Sequence, residues 1–139
     1  MRVNSREGIT DSIVINKGVL QGEILSPLLF AIFIADFEDF LISKGIRGVS
    51  VNHLTEIIML GYADDIVIFA DSYINMKRTI KALEEYCSLN KLEVNIRKTK
   101  VILFQKGGHG HKRKHAPFYF NEQIIEYVKE YVYLGVIMT

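Results

Sequence analysis

Disulfides, tryptophan and membrane-length apolar runs are missing from this 139-residue sequence. Cys87 is the only cysteine, so no disulfide can form within the chain, and a reducing, intracellular location is the simplest expectation. The apolar run from Leu28 to Ile34 is too short to cross a bilayer. The first ten residues, MRVNSREGIT, lack the apolar core of a signal peptide. No membrane partner is therefore expected.

Hydrophobic residues make up 49% of the chain, which excludes a disordered protein. The net charge is only +1, but basic residues are concentrated in one stretch. Between Val94 and Asn121 there is no Asp or Glu, and the stretch contains Arg97, Lys98, Lys100, Lys106, Lys112, Arg113 and Lys114. Such asymmetry favours a nucleic-acid partner, although a solvated basic loop would have the same composition.

Residues 105–117 within that stretch are expected to form a basic, flexible loop. Its three histidines, His109, His111 and His115, could bind zinc. A Gly-rich loop without cysteine favours contact with a nucleic-acid backbone, or no contact, over zinc binding.

Two helices are predicted. The first runs from Pro27 to about Ser43, with Ser26 as its cap and Gly45 as its stop. Because this helix is apolar around most of its surface, we expect it to be buried against a sheet. Ser26 is interpreted as a cap and not as a nucleophile, since no histidine lies in register to activate it. The second helix spans about Ile74 to Leu89, and the sole cysteine lies on its apolar face as an inert core residue.

Several short apolar segments predict strands. One hairpin should turn at Asn121-Glu122, and the last strand should cover Tyr131 to Met138. The remaining predicted strands are Ser12–Asn16, Ile46–Val51, Ile57–Leu60, Ile66–Ala70 and Val101–Phe104. The order of elements predicts an α+β fold, with an antiparallel sheet and helices packed on one face.

The stretch IIMLGYADDIVIFAD places two adjacent carboxylates, Asp64 and Asp65, between two apolar strands. We expect Gly61 to Asp65 to form the hairpin connection, with the acids at its tip. Like charges held together in partly buried, apolar surroundings oppose ionisation, and a divalent cation with hard oxygen ligands would relieve that conflict. A solvated Asp-Asp turn is the alternative that these residues leave open.

Four ordered segments resemble the motifs of reverse transcriptases of the non-LTR retrotransposon type, with group II intron maturases as close runners-up. GVLQGEILSPLLF (Gly18 to Phe30) resembles motif B, and YADD (Tyr62 to Asp65) resembles the metal-binding motif C. LEVNIRKTKVILF (Leu92 to Phe104) resembles motif D, and YVYLGVIM (Tyr131 to Met138) resembles motif E, the primer grip. The resemblance covers about Gly18 to Thr139 and implies a palm-like antiparallel sheet with helices on one face.

The resemblance also implies roles for individual residues and for partners. It implies RNA-directed DNA polymerisation by two Mg²⁺ (or Mn²⁺) ions, with an RNA template, a DNA primer and dNTP as partners. The implied catalytic and metal-binding residues are Asp64 and Asp65, with the second as the weaker ligand. The implied nucleotide- and template-binding residues are Gln21, Gly22, Tyr62, Ala63 and Lys98, and the implied primer-binding residues are Tyr133, Leu134 and Gly135.

One feature departs from the family pattern. The third carboxylate, which the family's motif A supplies upstream of the Gln-Gly loop, has no counterpart here, because Asp11 lies too close to that loop. The fingers and thumb are expected to be missing too. Residues 1–139 are thus expected to form a partial reverse transcriptase domain that is inactive alone and needs the missing segments of a parent polyprotein. A non-catalytic nucleic-acid-binding module and a retroelement relic are the two alternatives.

Overall fold

The computed structural model of the chain describes residues 4–5, 8–9, 25–52, 54–104 and 116–139. The predicted strand at Ser12–Asn16 lies outside these residues. The chain divides into two compact units. Unit 1 comprises Met1–Ala35 with Gly61–Ile66, and unit 2 comprises Asp36–Leu60 with Val67–Thr139.

Short strands and three helices make up the described part of the chain, which confirms the α+β class. In chain order the elements are β1 (Asn4–Ser5), β2 (Gly8–Ile9), α1 (Ser26–Phe33), α2 (Phe37–Ser43), β3 (Val49–Val51), β4 (Thr55–Ile57), β5 (Met59–Tyr62), β6 (Asp65–Ile68), α3 (Tyr73–Asn90), β7 (Lys100–Ile102), β8 (Phe118–Phe120), β9 (Gln123–Val128), β10 (Tyr131–Tyr133) and β11 (Val136–Met138). Strands β1–β2, β3–β4, β5–β6 and β10–β11 form separate pairs, and β7, β9 and β8 form one three-stranded sheet.

The prediction of one helix from Pro27 to Ser43 is wrong, because the helix is interrupted between Phe33 and Phe37. The Ala35 N–H reaches back only three residues, to the Ile32 carbonyl at 3.3 Å, so the last turn of α1 tightens and ends. Asp36 then occupies the N-cap position of α2 without a capping hydrogen bond from its side chain. Its carboxylate instead accepts a hydrogen bond from the Tyr86 hydroxyl of α3 at 2.5 Å, which ties the start of α2 to that helix.

The ends of these helices differ in part from prediction. α1 starts one residue early: Leu25 occupies the N-cap position, and Ser26 is a buried residue of the first turn. Pro27 lies in the first turn as predicted. Gly45 follows α2 with a φ of +70°, which confirms it as the helix stop.

The apolar side chains of α1 are exposed, so the predicted burial of the Pro27–Ser43 helix is wrong for its first half, whereas Phe37 and Leu41 in its second half, α2, are buried. Leu25, Leu28, Leu29, Ile32 and Phe33 are between 49% and 63% exposed. Within the helix, Ser26 is the buried residue. A continuous apolar face of this kind is unusual on a soluble monomer.

Helix α3 confirms the second predicted helix. The Ser72 hydroxyl accepts a hydrogen bond from the Asn75 N–H at 3.2 Å and caps its start, and Lys91 ends it with a φ of +54°. Cys87 is buried as predicted, and burial raises the pKa of its thiol, which fits an inert core residue.

Unit 2 has two hydrophobic clusters, and α3 contributes to both. Within the first cluster, Phe37 and Leu41 of α2 are almost completely buried. The buried members of the first cluster are Phe37, Leu41, Ile46, Ile58, Ala82 and Tyr86. The buried members of the second cluster are Ile80, Cys87, Phe118, Phe120 and Ile125. One helix with two buried faces thus joins the α2 layer to the three-stranded sheet.

The three-stranded sheet is mixed and not purely antiparallel. β8 pairs with β9 in antiparallel register, whereas β7 pairs with β9 in parallel, with Lys100 opposite Glu126. Residues 92–96, which alternate in sequence, form no strand, but Leu92, Val94 and Ile96 pack against the second cluster. The alternation of apolar and polar residues therefore reflects which side chains pack against the cluster, and does not indicate a strand.

The predicted last strand, Tyr131 to Met138, is wrong as a single strand, because it folds back on itself as the β10–β11 hairpin. Leu134 and Gly135 form the two-residue turn, with φ angles of +49° and +81°. Positive φ angles at both turn residues match the right-handed twist of the paired strands. Glycine adopts a positive φ readily, whereas leucine does not.

The predicted β8–β9 hairpin and its turn at Asn121-Glu122 are confirmed. Glu122 has a φ of +67°, a conformation that disfavours most side chains. We expect Glu122→Gly to raise the free energy of unfolding by about 1 kcal/mol, because Asn-Gly suits this turn best. Urea unfolding measures the change. Glu122→Ala, which removes the carboxylate but keeps a Cβ, is the control and should give no comparable gain.

Candidate metal and nucleic-acid site

The Asp64-Asp65 pair lies at a tight β-hairpin, as predicted. β5 ends at Tyr62 and β6 begins at Asp65, so Ala63 and Asp64 form a two-residue connection that is shorter than predicted. The Phe69 N–H donates to the Ile58 carbonyl at 2.8 Å and extends the pairing beyond both strands. The hairpin therefore places one carboxylate in the turn and the next at the first strand position.

Both carboxylates are exposed to solvent. The structure thus corrects the expectation that these acids are partly buried. Along β6, Asp65 and Val67 share one face and Ile66 and Ile68 share the other, because side chains alternate across a strand. Ile68 packs against the first hydrophobic cluster. The apolar sequence around the acids therefore supplies the strand, while both acidic residues are exposed.

Ala63 holds the turn with a φ of +52°. A residue with a Cβ pays about 1–2 kcal/mol for this left-handed conformation. Strain of this kind concentrates at functional positions, where surrounding structure holds it in place. The turn that carries Asp64 is therefore set in a defined, sparsely populated backbone geometry.

The donor set suits a hard cation but is small. Two carboxylates at one turn offer the oxygen ligands that Mg²⁺ and Mn²⁺ prefer. Within the described ranges, no three His, Cys, Asp or Glu side chains come together as a group that could hold a metal ion. The hairpin thus fits part of a metal site.

Lys98 lies on an exposed turn that Asn95 organises. The Asn95 carbonyl accepts from the N–H groups of Lys98 and Thr99, at 3.1 and 3.0 Å, and from the Thr99 hydroxyl at 2.9 Å. The Asn95 side-chain oxygen accepts from the Lys98 N–H as well, at 3.3 Å. The backbone of Lys98 is therefore well fixed, while its side chain is exposed.

The basic stretch is less positive than its sequence indicates. The Lys100 ammonium lies 2.6 Å from the Glu126 carboxylate across the parallel strands. Sequence reasoning missed this ion pair, because nothing in the composition shows that Lys100 and Glu126 become neighbours. Four of its seven basic residues, Lys106, Lys112, Arg113 and Lys114, lie outside the described residues together with the three histidines.

The three residues predicted to contact the primer come together at the β10–β11 hairpin. Tyr133 ends β10, and Leu134 and Gly135 form the turn. The Tyr131 hydroxyl donates to the Lys98 carbonyl at 3.3 Å, so this hairpin contacts the Lys98 turn. The sequence carried no signal for that contact. Gln21 and Gly22, predicted to contact template and nucleotide, lie outside the described residues.

The comparison with protein families matches nearly the whole chain. The model described as "Reverse transcriptase (RNA-dependent DNA polymerase)" matches residues 2–138. The chain belongs to the reverse transcriptase family. This confirms the resemblance that the four ordered motifs indicated.

A curated relative agrees with the retrotransposon type. The chain is 27% identical over 130 residues to the "RNA-directed DNA polymerase from mobile element jockey" of Drosophila funebris. The match covers 89% of this chain and 13% of that relative, so the chain corresponds to a small part of it. No solved structure matches the chain. Among the described residues, no helix has the length and apolar character that a bilayer crossing requires.

Proposed function

We propose that this chain is the palm segment of a non-LTR retrotransposon reverse transcriptase. In the complete enzyme it would support RNA-directed transfer of nucleotides from dNTP to a primer 3′-hydroxyl. The observation that carries the proposal is an adjacent acid pair, Asp64 and Asp65, exposed at a hairpin turn in a chain that matches the family over residues 2–138. The jockey polymerase, 27% identical, supports the class of element.

The proposed architecture is a palm-like sheet with helices on one face. Its support is local: α3 packs against the three-stranded sheet through Ile80 and Cys87, which share a cluster with Phe118, Phe120 and Ile125. Hairpins carry the two predicted contact regions, the acid pair and Tyr133–Gly135.

In this proposal Asp64 is the main ligand of Mg²⁺ (or Mn²⁺), and Asp65 is a weaker one. The bound ions would activate the primer hydroxyl and neutralise charge on the dNTP triphosphate. The exposed turn leaves both carboxylates accessible to such a complex. Tyr62 and Ala63 precede them on the hairpin and would lie along the path of the primer end.

The remaining proposed contacts involve other segments. The Lys98 ammonium, on its fixed turn, would bind the nucleotide phosphates. Tyr133, Leu134 and Gly135 would hold the primer backbone. Gln21 and Gly22 would contact the template and the incoming nucleotide. The proposed macromolecular partners are the RNA template, the DNA primer and the other segments of a parent polyprotein.

We further propose that the chain does not polymerise alone. Two carboxylates do not make the donor set that two ions about 3.5–4 Å apart require. The described residues offer no cluster of three ligands, and the chain corresponds to 13% of its relative.

Primer extension tests this directly. The chain is incubated with an RNA template, an annealed DNA primer, dNTPs and Mg²⁺, beside Asp64→Asn. The expected result is no extension by either protein. Extension by the unmodified chain that is lost in Asp64→Asn would contradict the inactivity while supporting the role of Asp64. Extension that survives Asp64→Asn would contradict the proposed metal site.

A further inference from the structure

The Lys98 turn has two independent anchors. Asn95, three residues earlier, accepts both backbone N–H groups at the turn. The second anchor comes from a distant part of the chain: the Tyr131 hydroxyl donates to the Lys98 carbonyl at 3.3 Å. One anchor sets the local turn, and the other sets its place relative to the β10–β11 hairpin.

Tyr131 is well placed to anchor the Lys98 turn to the β10–β11 hairpin. It is the first residue of β10 and pairs with Met138 of β11, so its backbone belongs to the hairpin that carries Tyr133–Gly135. β9, which precedes it, runs parallel to β7, with Val128 beside Ile102. The chain thus leaves the sheet at the far end of β7, and the long Tyr131 side chain reaches back to the turn before that strand.

We propose that Tyr131 is a positioning residue, whose hydroxyl holds the Lys98 turn against the β10–β11 hairpin and so couples nucleotide-phosphate binding to primer binding. The inference rests on the proposed function, because it takes Lys98 as the phosphate contact and the hairpin as the primer contact. A displacement of the hairpin moves the Lys98 backbone through this bond. The ring itself need not touch nucleotide or primer.

The chain offers a matched control for a purely structural bond. The Tyr127 hydroxyl, on β9, donates to the Ala116 carbonyl at 3.2 Å. It has the same chemistry and nearly the same length as the Tyr131 bond, but neither Tyr127 nor Ala116 is among the residues proposed to bind the nucleotide or the primer. Tyr131→Phe and Tyr127→Phe each delete one hydroxyl that donates to a backbone carbonyl and leave the ring in place.

The test is an NMR titration of the ¹⁵N-labelled chain with Mg·dTTP, following the Lys98 and Thr99 amide signals, with and without a primer–template duplex. We expect Tyr131→Phe to weaken dTTP binding about three- to tenfold, the range that one net hydrogen bond allows. The duplex should tighten dTTP binding to the unmodified chain but not to Tyr131→Phe. Tyr127→Phe should match the unmodified chain, and both variants should melt at the same temperature.

Three outcomes would overturn the proposal, each for a different reason. If Lys98→Ala weakens dTTP binding and Tyr131→Phe does not, the coupling is wrong and the proposed phosphate contact stands. If Lys98→Ala binds dTTP as the unmodified chain does, or neither binds, the proposed role of Lys98 fails and the coupling fails with it. If Tyr131→Phe lowers the melting temperature more than Tyr127→Phe does, the bond is structural.

Discussion

Asp64→Asn should reduce RNA-templated primer extension at least about a hundredfold in a chimera that carries this chain inside a complete polymerase. The chimera replaces the matching segment of the jockey polymerase with residues 2–138, the range over which the family model aligns. A metal ligand that supplies several kcal/mol of transition-state stabilisation accounts for an effect of this size. Asp65→Asn should have a smaller effect, because Asp65 is proposed as the weaker ligand. Steady-state extension rates at saturating Mg²⁺ provide the measurement.

The control for this experiment comes from α2, where Glu38 and Asp39 form a second adjacent, exposed acidic pair. Asp39→Asn removes the same charge without touching the hairpin and should leave extension within about twofold of the unmodified chimera. Equal losses in Asp64→Asn and Asp39→Asn would mean that net charge, and not a metal ligand, decides the activity. An active Asp64→Asn chimera would remove the proposed catalytic role.

Gly48→Ala should lower the free energy of unfolding by about 3 kcal/mol, the upper part of the range for overpacked sites. A Cβ at this buried glycine would lie 2.0 Å from the Ile57 carbonyl oxygen and 2.3 Å from its carbon, so the backbone itself would have to move. The Gly48 N–H also donates to the Glu56 carboxylate at 2.6 Å, and that bond would be disturbed with it. Urea unfolding followed by circular dichroism measures the change.

Two comparisons separate the clash from other effects. Ser50→Ala, at an exposed position of β3, should change stability by less than about 0.5 kcal/mol. Gly135→Ala meets nothing within 4 Å but has a φ of +81°, so it should cost about 1–2 kcal/mol through backbone conformation alone. If Gly48→Ala is no more destabilising than Gly135→Ala, close approach at residue 48 is not the dominant effect.

The elements that were best predicted from the sequence are those whose determining residues lie close together in the chain. The predicted helix from about Ile74 to Leu89 corresponds to α3, and in the structure Ser72 caps its start and Lys91 ends it, both next to the helix in sequence. The turn at Asn121-Glu122 is likewise confirmed, although Glu122 is a poor residue for its φ. Local hydrogen bonds and periodicity decide these features, so a single sequence suffices to predict them.

The features that sequence reasoning missed depend on partners far away in the chain. The break after α1 occurs where Tyr86, fifty residues later, binds the Asp36 carboxylate. The parallel pairing of β7 with β9 brings Lys100 to Glu126, and no local pattern encodes that pairing. The turn at Leu134-Gly135 was hidden inside a continuous apolar run, where the Tyr-Leu-Gly segment was interpreted as strand.

The candidate site likewise combines features that local sequence predicts with features that depend on residues far away in the chain. The acid pair at a hairpin could be predicted because both strands and the connection are adjacent in sequence. Its exposure could not be, since burial depends on what packs around the hairpin. The contact between Tyr131 and Lys98 spans thirty-three residues and became visible only in the structure.

Mn²⁺ titration of the ¹⁵N-labelled chain tests the central claim most directly. Paramagnetic Mn²⁺ broadens the signals of amides close to its binding site and replaces Mg²⁺ at oxygen ligands. The predicted result is broadening at residues 61–66 at Mn²⁺ concentrations that leave Glu38 and Asp39 unaffected, with loss of that broadening in Asp64→Asn. Equal broadening at both acidic pairs, or unchanged broadening in Asp64→Asn, would contradict a metal site at the hairpin.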